Sequence, residues 1–246
     1  MNRDTLVEGF KSLNITLSET QICQFEKYME LLLEWNKVMN LTAITEEAEI
    51  ISKHFVDSVS IVLFNEFDFI GKVNKMDITS VIDIGTGAGF PGIPLKIIFP
   101  NLKITLVDSL NKRINFLNTV ISELKLDNIV AIHARAEEIA KKDNYRESFD
   151  LCVSRAVANL ATLSEYCLPF VRVNKYFIPY KSQKIDEELR KGNKCISVMG
   201  GKLYGKFKFN LYENDNERSF VFIKKIKNTP KKYPRSGNKP SKEPIC

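Results

Sequence analysis

The chain has few of the side chains that bind metal ions or pair as disulfides. Its 246 residues include five cysteines and only two histidines, His54 and His133. No two cysteines stand at Cys-x-x-Cys spacing, and the histidines are far apart, so neither a zinc site nor a redox pair is indicated. We expect no metal. The odd cysteine count without a spacing framework favours a reducing cytoplasm.

Long apolar runs are also missing. No stretch approaches the roughly 18 uncharged apolar residues of a membrane span. The first residues lead into no apolar core, so we expect no signal peptide and no membrane partner. A hydrophobic content of 44% over 246 residues suffices for one large α/β domain with a small extension. We expect a cytoplasmic monomer.

Acidic residues are absent from 224–242, where eight lysines and arginines stand. The whole chain carries +6, so the remainder sums to −2. A basic tail beside a near-neutral body is typical of proteins that bind a phosphate backbone. A solvated, disordered end would have the same composition. Tyr233, as a stacking surface, and Arg235, as a planar fork for phosphate, favour RNA binding.

The pattern of apolar residues divides the chain into three parts. Residues 1–70 are predicted to form a helical extension, with Ser18 and Gln21 as a capping box. Residues 71–226 alternate between strand and helix patterns, which predicts a mostly parallel sheet covered on both faces and ending in an antiparallel hairpin. Residues 227–246 are the basic tail. The predicted strands lie near 80–84, 103–107, 129–133, 149–153, 176–180, 202–211 and 219–226.

A glycine-rich loop follows the first predicted strand. Asp83 precedes three alternating glycines, Gly85, Gly87 and Gly89, and then comes Phe90. A dinucleotide fingerprint would require glycine at position 90. The spacing instead resembles the first motif of S-adenosylmethionine (SAM)-dependent methyltransferases. The alternative is a glycine-rich turn that binds no ligand.

An acid ends the second predicted strand. Asp108 lies 23 residues after Gly85, and an acid at about this distance can accept hydrogen bonds from ribose hydroxyls. Asp108 also stands where it could cap a helix that starts near Asn111, and the two roles are compatible.

Polar side chains follow the third and fourth predicted strands, at the edge where parallel sheets bind ligands. Glu137 is placed to take a polar edge of the adenine, with the backbone amide of Ala136 beside it; alternatively Glu137 only favours a helix N-terminus. Arg155 ends an apolar strand, so we expect it to have a partner. That partner would be Asp83, Glu137, a cofactor carboxylate or an RNA phosphate.

Two catalytic motifs of methyltransferases are missing. Ser154 and Arg155 stand where enzymes that methylate exocyclic amines often have an (Asn/Asp)-Pro-Pro-(Tyr/Phe) turn. No Pro-Cys nucleophile is present, and Cys152 and Cys167 are predicted to be small core residues. A ring nitrogen with a free lone pair remains as the methyl acceptor, which requires alignment and no covalent intermediate.

Several segments together resemble the bacterial RsmG (GidB) family of 16S rRNA methyltransferases, and the resemblance covers nearly the whole chain. The fold it implies is a class I SAM-dependent methyltransferase, Rossmann-like, with a seven-stranded sheet. The activity it implies is methylation of N7 of a guanine, guanine 527 of the 530 loop, in free 16S rRNA or the 30S subunit. The matching segments are residues 35–44, 53–58, 83–94, 107–113, 135–138, 154–157 and 231–235.

The resemblance also implies roles for individual residues. Those implied to act at the reaction centre are His54, Asp57 and Arg155. Those assigned to SAM, from the motif or the resemblance, are Asp83, Gly85, Gly87, Gly89, Phe90, Asp108, Ser109, Leu110, Ala136, Glu137 and Arg155. Those expected to contact RNA are Arg113, Arg135, Lys181, Lys231, Lys232, Tyr233 and Arg235.

Three local departures from the family pattern concern the turn before the fifth strand and the tail. Asn174 and Ser182 stand where glycine or a small residue is usual, and Gly237 is shifted by one place. Two other functions stay open: a methyltransferase for a protein or metabolite, and a non-catalytic RNA-binding or cell-division accessory protein.

Overall fold

A computed structural model describes residues 1–64, 78–155, 157–182, 185–211 and 217–246. The described residues form two compact units. Unit 1 comprises Met1–Thr79 and Thr86–His133, and unit 2 comprises Ser80–Gly85 and Ala134–Cys246. The predicted boundary at residue 70 lies outside the described residues, as do residues 212–216 between the two predicted strands of the hairpin, so the three-part division stays a prediction.

Unit 1 begins with helices whose ends are set by local capping. Helix α1 (Arg3–Lys11) starts where the side chain of Asn2 accepts from Thr5 N. Helix α2 (Glu19–Met39) has the predicted capping box of Ser18 and Gln21. It ends at Asn40, whose φ of 49° is in the left-handed region.

A helical run from residue 47 to 63 follows α2, with a change of hydrogen-bonding pattern in its middle. It contains α3 (Glu47–Ile50), a π-helical turn (Ile51–Val56), α4 (Asp57–Val59) and a 3₁₀ turn (Ser60–Leu63). The remaining elements of unit 1 are α5 (Gly92–Ile98), β2 (Lys103–Asp108), α6 (Asn111–Glu123) and β3 (Ile129–His133).

Buried aromatic rings hold the helices of unit 1 together. Phe25 lies 4.9 Å from both Phe10 and Phe55, measured between ring centroids. Tyr28 stacks on Phe55 at 5.3 Å and lies 5.4 Å from Phe90. These contacts join α1, α2 and the π-helical turn to the residue that follows the glycine loop.

Unit 2 contains five strands of the sheet. They are β1 (Ser80–Ile84), β4 (Phe149–Arg155), β5 (Val171–Ser182), β6 (Gly201–Phe209) and β7 (Arg218–Lys225). Its helices are α7 (Ala136–Ile139), α8 (Leu160–Cys167), α9 (Ile185–Val198) and α10 (Lys239–Lys242). Strand β4 pairs in parallel with β1 and β5, while β7 pairs antiparallel with β5 and β6.

The strand order of the sheet is β3-β2-β1-β4-β5-β7-β6. It confirms the prediction of a mostly parallel α/β sheet with an antiparallel hairpin at its end. Strand β5 starts at Val171, five residues before the predicted start near Tyr176. Asn174 within it has a φ of 70°, a conformation that asparagine tolerates better than most residues other than glycine. This accommodates the departure from glycine at that position.

Candidate functional site

The two glycines of the loop that belong to unit 1 have different surroundings. Both have positive φ, 61° at Gly87 and 97° at Gly89. A Cβ built on Gly89 would lie 2.5 Å from Ile93 Cδ1 and 2.8 Å from Tyr28 Oη, so this glycine is required by packing. A Cβ on Gly87 would meet no atom within 4 Å. Gly87 therefore borders open space, as a ligand-facing position must.

Asp108 ties the glycine loop to the end of β2. Its carboxylate is buried, with Oδ2 accepting from Gly87 N at 3.0 Å and from Arg113 Nη1 at 3.1 Å. Oδ1 accepts from Leu110 N at 2.9 Å. A carboxylate has about four acceptor positions, so these bonds leave about one for a hydroxyl. The contact with Leu110 N resembles the predicted cap, and it coexists with the contact to the loop.

The two residues after Asp108 differ in character. Ser109 is exposed, and its carbonyl oxygen lies 3.0 Å from His133 Nε2. Leu110 is an apolar side chain with 43% of its surface exposed. An exposed leucine beside a buried carboxylate can cover the face of an apolar ring, which fits the adenosine role predicted for this segment.

His54 lies flat on Phe90 and is held by a hydroxyl. The two rings are 4.6 Å apart with an interplanar angle of 21°. Thr42 Oγ1 accepts from Ile44 N and lies 2.8 Å from His54 Nε2, while His54 Nδ1 lies 3.2 Å from the carbonyl oxygen of Lys53. Because that carbonyl only accepts, Nδ1 carries the proton and the Thr42 hydroxyl donates to Nε2. This assignment holds for the neutral imidazole, the form in which Nε2 can accept.

The loop that carries Thr42 is itself fixed. Asn36 Oδ1 accepts from Thr42 N at 2.9 Å, and Asn36 Nδ2 donates to Thr42 O at 3.0 Å. Asp57, predicted to act with His54, is buried at the start of α4. Within unit 1, each of the following predicted residues contacts another of them, either directly or through one intervening residue: His54, Phe90, Gly87, Gly89, Asp108 and Leu110.

The other predicted cofactor residues belong to unit 2. Asp83 is fully buried on β1, in register with Val153 of β4. A Cβ on Gly85, which has a φ of 70°, would lie 2.5 Å from Val157 Cγ2. Arg155 ends β4, half-buried and in register with Tyr180 of β5. Ala136 and Glu137 begin α7, and Glu137 is buried with one oxygen 3.6 Å from Arg135 Nη1. Residue 156 of the matching segment lies outside the described residues.

Four of the basic residues predicted to contact RNA already have acidic partners: Arg113, Lys181, Arg135 and Arg235. Arg113 is bonded to Asp108. Lys181 is nearly buried, with Nζ 2.7 Å from Glu188 Oε2 and donating to Ala158 O. Arg135 donates to Asn238 Oδ1 at 3.2 Å while it faces Glu137.

Arg235 also has a partner within unit 2. The sequence indicated a planar fork available to phosphate, but the fork binds Glu165, with Nη2 2.7 Å from Oε2 and Nε 3.0 Å from Oε1. Glu165 is fully buried, so Arg235 neutralises a buried carboxylate. In the tail, Lys231 and Lys232 are exposed, and Lys232 Nζ lies 5.3 Å from the ring centre of Tyr233.

The rRNA small subunit methyltransferase G (GidB) family matches residues 21–216. The chain belongs to this family. A protein of that name from Lachnoclostridium phytofermentans is 52% identical over 244 residues, covering 99% of this chain and 98% of its own length. Another from Lactococcus lactis subsp. cremoris is 45% identical and is covered fully on both sides.

A solved structure shares the fold of this chain. A mutant of MtNAS matches with a TM-score of 0.51 and 16% identity, over 85% of this chain and 75% of that chain. Family and fold together confirm the resemblance and the predicted class I SAM-dependent methyltransferase fold. None of the helices in the described parts of the chain is long and apolar enough to cross a bilayer. Within the described ranges, no three acidic, cysteine or histidine side chains are grouped to hold a metal ion.

The family's basic tail is anchored to unit 2 by residues that sequence reasoning missed. Arg146 donates to the carbonyl oxygens of Ala140, Thr229, Pro230 and Tyr233. These partners are backbone atoms, which leave no pattern in the sequence. These hydrogen bonds attach the stretch from Thr229 to Tyr233 to the rest of unit 2.

A buried lysine forms the root of the tail. Lys225 Nζ donates to Leu168 O at 2.7 Å and Thr229 Oγ1 at 2.6 Å, and lies 3.2 Å from Glu147 Oε1. Burial lowers the pKa of Lys225 to about 8, against the opposing effect of Glu147.

The cysteines are placed as predicted. Cys152 lies within β4 and Cys167 ends α8, and both are buried. Burial raises the pKa of the Cys152 thiol well above its usual value, and a hydrogen bond with Cys167 adds to this. A thiol whose ionisation is suppressed in this way is a poor nucleophile.

Proposed function

We propose that this chain transfers a methyl group from SAM to N7 of a guanine in 16S rRNA, by family the guanine at position 527. The observation that carries the proposal is the family match over residues 21–216, which includes the glycine loop tied to Asp108. The loop and Asp108 lie within the matched residues and supply the geometry on which SAM binding is proposed.

The residues of unit 1 fit the adenosine part of SAM. Gly87 borders open space, and Asp108 keeps about one acceptor position for a ribose hydroxyl. Leu110 supplies exposed apolar surface for the adenine, next to Ser109. A second ribose hydroxyl on Asp108 would have to displace Arg113.

The remaining assignments follow the family. We assign Phe90, Gly89 and Gly85 to the shape of the loop, and Ala136 and Glu137 to the adenine edge. Asp83 and Arg155 are assigned to the methionine part, Arg155 also at the reaction centre. When bound, SAM supplies a methyl group on a positively charged sulfur.

The chain's own groups favour direct transfer to a ring nitrogen. Guanine N7 has a lone pair, so no base has to remove a proton before it attacks. The guanine becomes positively charged, so the reaction centre around His54, which stacks on Phe90, has to tolerate that charge. Asp57, on the same helical run, supplies a compensating negative charge. Buried Cys152 and Cys167 support a mechanism without a covalent enzyme intermediate.

The RNA partner is 16S rRNA, free or in the 30S subunit. The exposed cations of the tail, Lys231 and Lys232, and the stacking surface of Tyr233 support this. Arg113 and Arg135 contribute positive charge close to the cofactor residues. We propose a cytoplasmic monomer without a metal ion, which light scattering and metal analysis of the purified protein would test.

One assay tests the function. Purified protein is incubated with SAM labelled in its methyl group and with free 16S rRNA or 30S particles, and the labelled base is mapped. We expect 7-methylguanine at one position in one of the two substrates. Label in a protein or metabolite instead would favour the non-RNA methyltransferase, and absence of SAM binding would favour the accessory protein.

A further inference from the structure

A basic and aromatic patch lies on the antiparallel part of the sheet in unit 2. Tyr176 of β5, Lys224 of β7 and Lys202 of β6 stand opposite one another in register, forming a row across three strands. Tyr204, at the irregularity in β6, contacts Tyr176 edge to face at 6.0 Å. We call these four residues the tyrosine–lysine patch.

Two residues of the patch, Tyr204 and Lys202, are exposed, and the other two, Tyr176 and Lys224, are half-buried. Tyr204 has 57% of its surface exposed, and Lys202 is exposed as well. Further along the same strands, Ile178 and Phe222 are almost completely buried. The sheet face therefore changes from buried apolar to open basic at this row.

Two lysines in the patch lie directly opposite each other. Lys202 and Lys224 are cross-strand partners, and like charges in this arrangement lower the stability of a sheet. The nearby Asp150 is engaged by Arg172 at 2.9 Å and lies 3.6 Å from Lys175. An anion bound across the two lysines would relieve their repulsion.

We propose that the tyrosine–lysine patch is a second RNA-binding surface, which takes a single-stranded segment of the substrate RNA. The two lysines contact phosphates, and the exposed ring of Tyr204 stacks on a base. Aromatic rings among lysines are the combination that single-stranded nucleic acid requires, since every base has a face that can stack. This proposal rests on the proposed function in one respect, which is that the RNA bound by the patch is the methylation substrate.

The patch is separate from the residues assigned to the reaction. Tyr176 lies four residues before Tyr180, which is in register with Arg155. Four residues of strand span roughly 13 Å. The patch therefore contacts RNA at a distance from the methylated base. Through this contact the protein recognises the RNA around the base as well as the base itself.

Binding of a 16S rRNA transcript, measured by fluorescence anisotropy over a range of salt concentrations without SAM, tests the proposal. We expect Tyr204→Ala to weaken binding about five- to a hundred-fold and Tyr204→Phe to keep it. The double variant Lys202→Gln, Lys224→Gln should flatten the salt slope by about 1.4. Its unfolding temperature should stay level or rise, because the repulsion is gone.

The matched control is the double variant Arg190→Gln, Lys194→Gln, which removes two exposed cations from α9. Wild-type affinity and slope in the patch variants would overturn the proposal, and so would an equal loss in the control. Methyl transfer is measured in parallel. If RNA binding depends on the patch but no methyl group is transferred, the proposed function alone is overturned. If methyl groups are transferred and the patch variants bind RNA as the wild type does, the proposal for the patch alone is overturned.

Discussion

A glycine can be required for its backbone conformation or because a ligand needs the space that a side chain would fill. Two glycines of this chain allow these two requirements to be separated. Gly87 and Gly237 both have a φ of 61°, and a Cβ on either would meet nothing within 4 Å. A side chain at such a φ costs about 1–2 kcal/mol. The two positions are therefore matched in strain and in local space, and they differ in their place in the chain.

We expect Gly87→Val to lose SAM binding and keep its fold, because the branched side chain would occupy the space that the ligand needs. Gly237→Val should lose a similar amount of stability and keep its SAM affinity. Calorimetric titration and thermal unfolding of both variants check this. Equal SAM affinities in the two variants would contradict the ligand-facing role of Gly87.

The two histidines of the chain are expected to have opposite tautomers. His54 faces the carbonyl of Lys53 with Nδ1, while His133 faces the carbonyl of Ser109 with Nε2. Because a carbonyl only accepts, the facing nitrogen carries the proton in each ring. Nitrogen chemical shifts from NMR should show an Nδ1–H ring and an Nε2–H ring.

Thr42→Val removes the hydroxyl that donates to His54 Nε2. We expect mixed tautomers at His54 in this variant, an unchanged His133, and recovery of the single tautomer in Thr42→Ser. A His54 spectrum that does not respond to Thr42→Val would show that other contacts orient the ring.

Among the elements, the tail depends on a buried ion pair. Removing one partner of a buried pair leaves the other charge without compensation, which typically costs about 3–5 kcal/mol. We expect Arg235→Ala to destabilise the protein by about 3 kcal/mol, because Glu165 is buried. Arg235→Lys should recover only part of this, since lysine lacks the fork that grips both oxygens. Urea denaturation measures the effect, and exposed Lys232→Ala is the control that should change little.

Lys225, at the root of the tail, is expected to make the free energy of unfolding depend on pH. The pKa of Lys225 is about 8 in the folded protein, and an unfolded lysine titrates near 10.4. Between about pH 8 and 10.4 the unfolded state binds more protons, so the free energy of unfolding rises with pH, by up to about 3 kcal/mol. Below about pH 8 both states are protonated and this contribution is absent.

Denaturation of wild type and Lys225→Met between pH 7.5 and 10 checks the effect. The difference between the two free energies of unfolding should change across this window, because only the wild type has the titrating amine. Parallel curves would contradict the assignment to Lys225.

The elements that could be predicted from the sequence carry local patterns. Helix α2 has apolar residues at helical spacing and a capping box, and the strands are short apolar runs between turn residues. The glycine loop and Asp108 were also predictable, because their chemistry depends on spacing along the chain. The π-helical turn at Ile51–Val56 has no such pattern.

Contacts between distant residues could not be predicted. The hydroxyl of Thr42 reaches His54 only once the loop after α2 is folded. Arg146 binds backbone carbonyls 83 and 87 residues away, at Thr229 and Tyr233, and any residue type could supply them. The role of Arg235 changed for the same reason, since its partner Glu165 is 70 residues away.

For the whole molecule, RNA binding should depend on salt through the exposed end of the tail. Lys231 and Lys232 are exposed, so each can release counterions from a phosphate. We expect the double variant Lys231→Ala, Lys232→Ala to flatten the salt slope by roughly 1.4–1.8 and to leave SAM affinity unchanged. Anisotropy with 16S rRNA and SAM titration measure this. Coinciding slopes would show that Lys231 and Lys232 do not contact the RNA.

Unit 2 is built from two segments that are far apart in the sequence, Ser80–Gly85 and Ala134–Cys246, and this affects the order in which its parts are synthesised. Strand β1 ends at Ile84, but Arg235, which neutralises Glu165, is made 151 residues later. At roughly 5–20 residues per second, translation takes about 8 to 30 seconds to cover that distance. The first strand of the unit therefore waits about that long before the residue that neutralises Glu165 has been made.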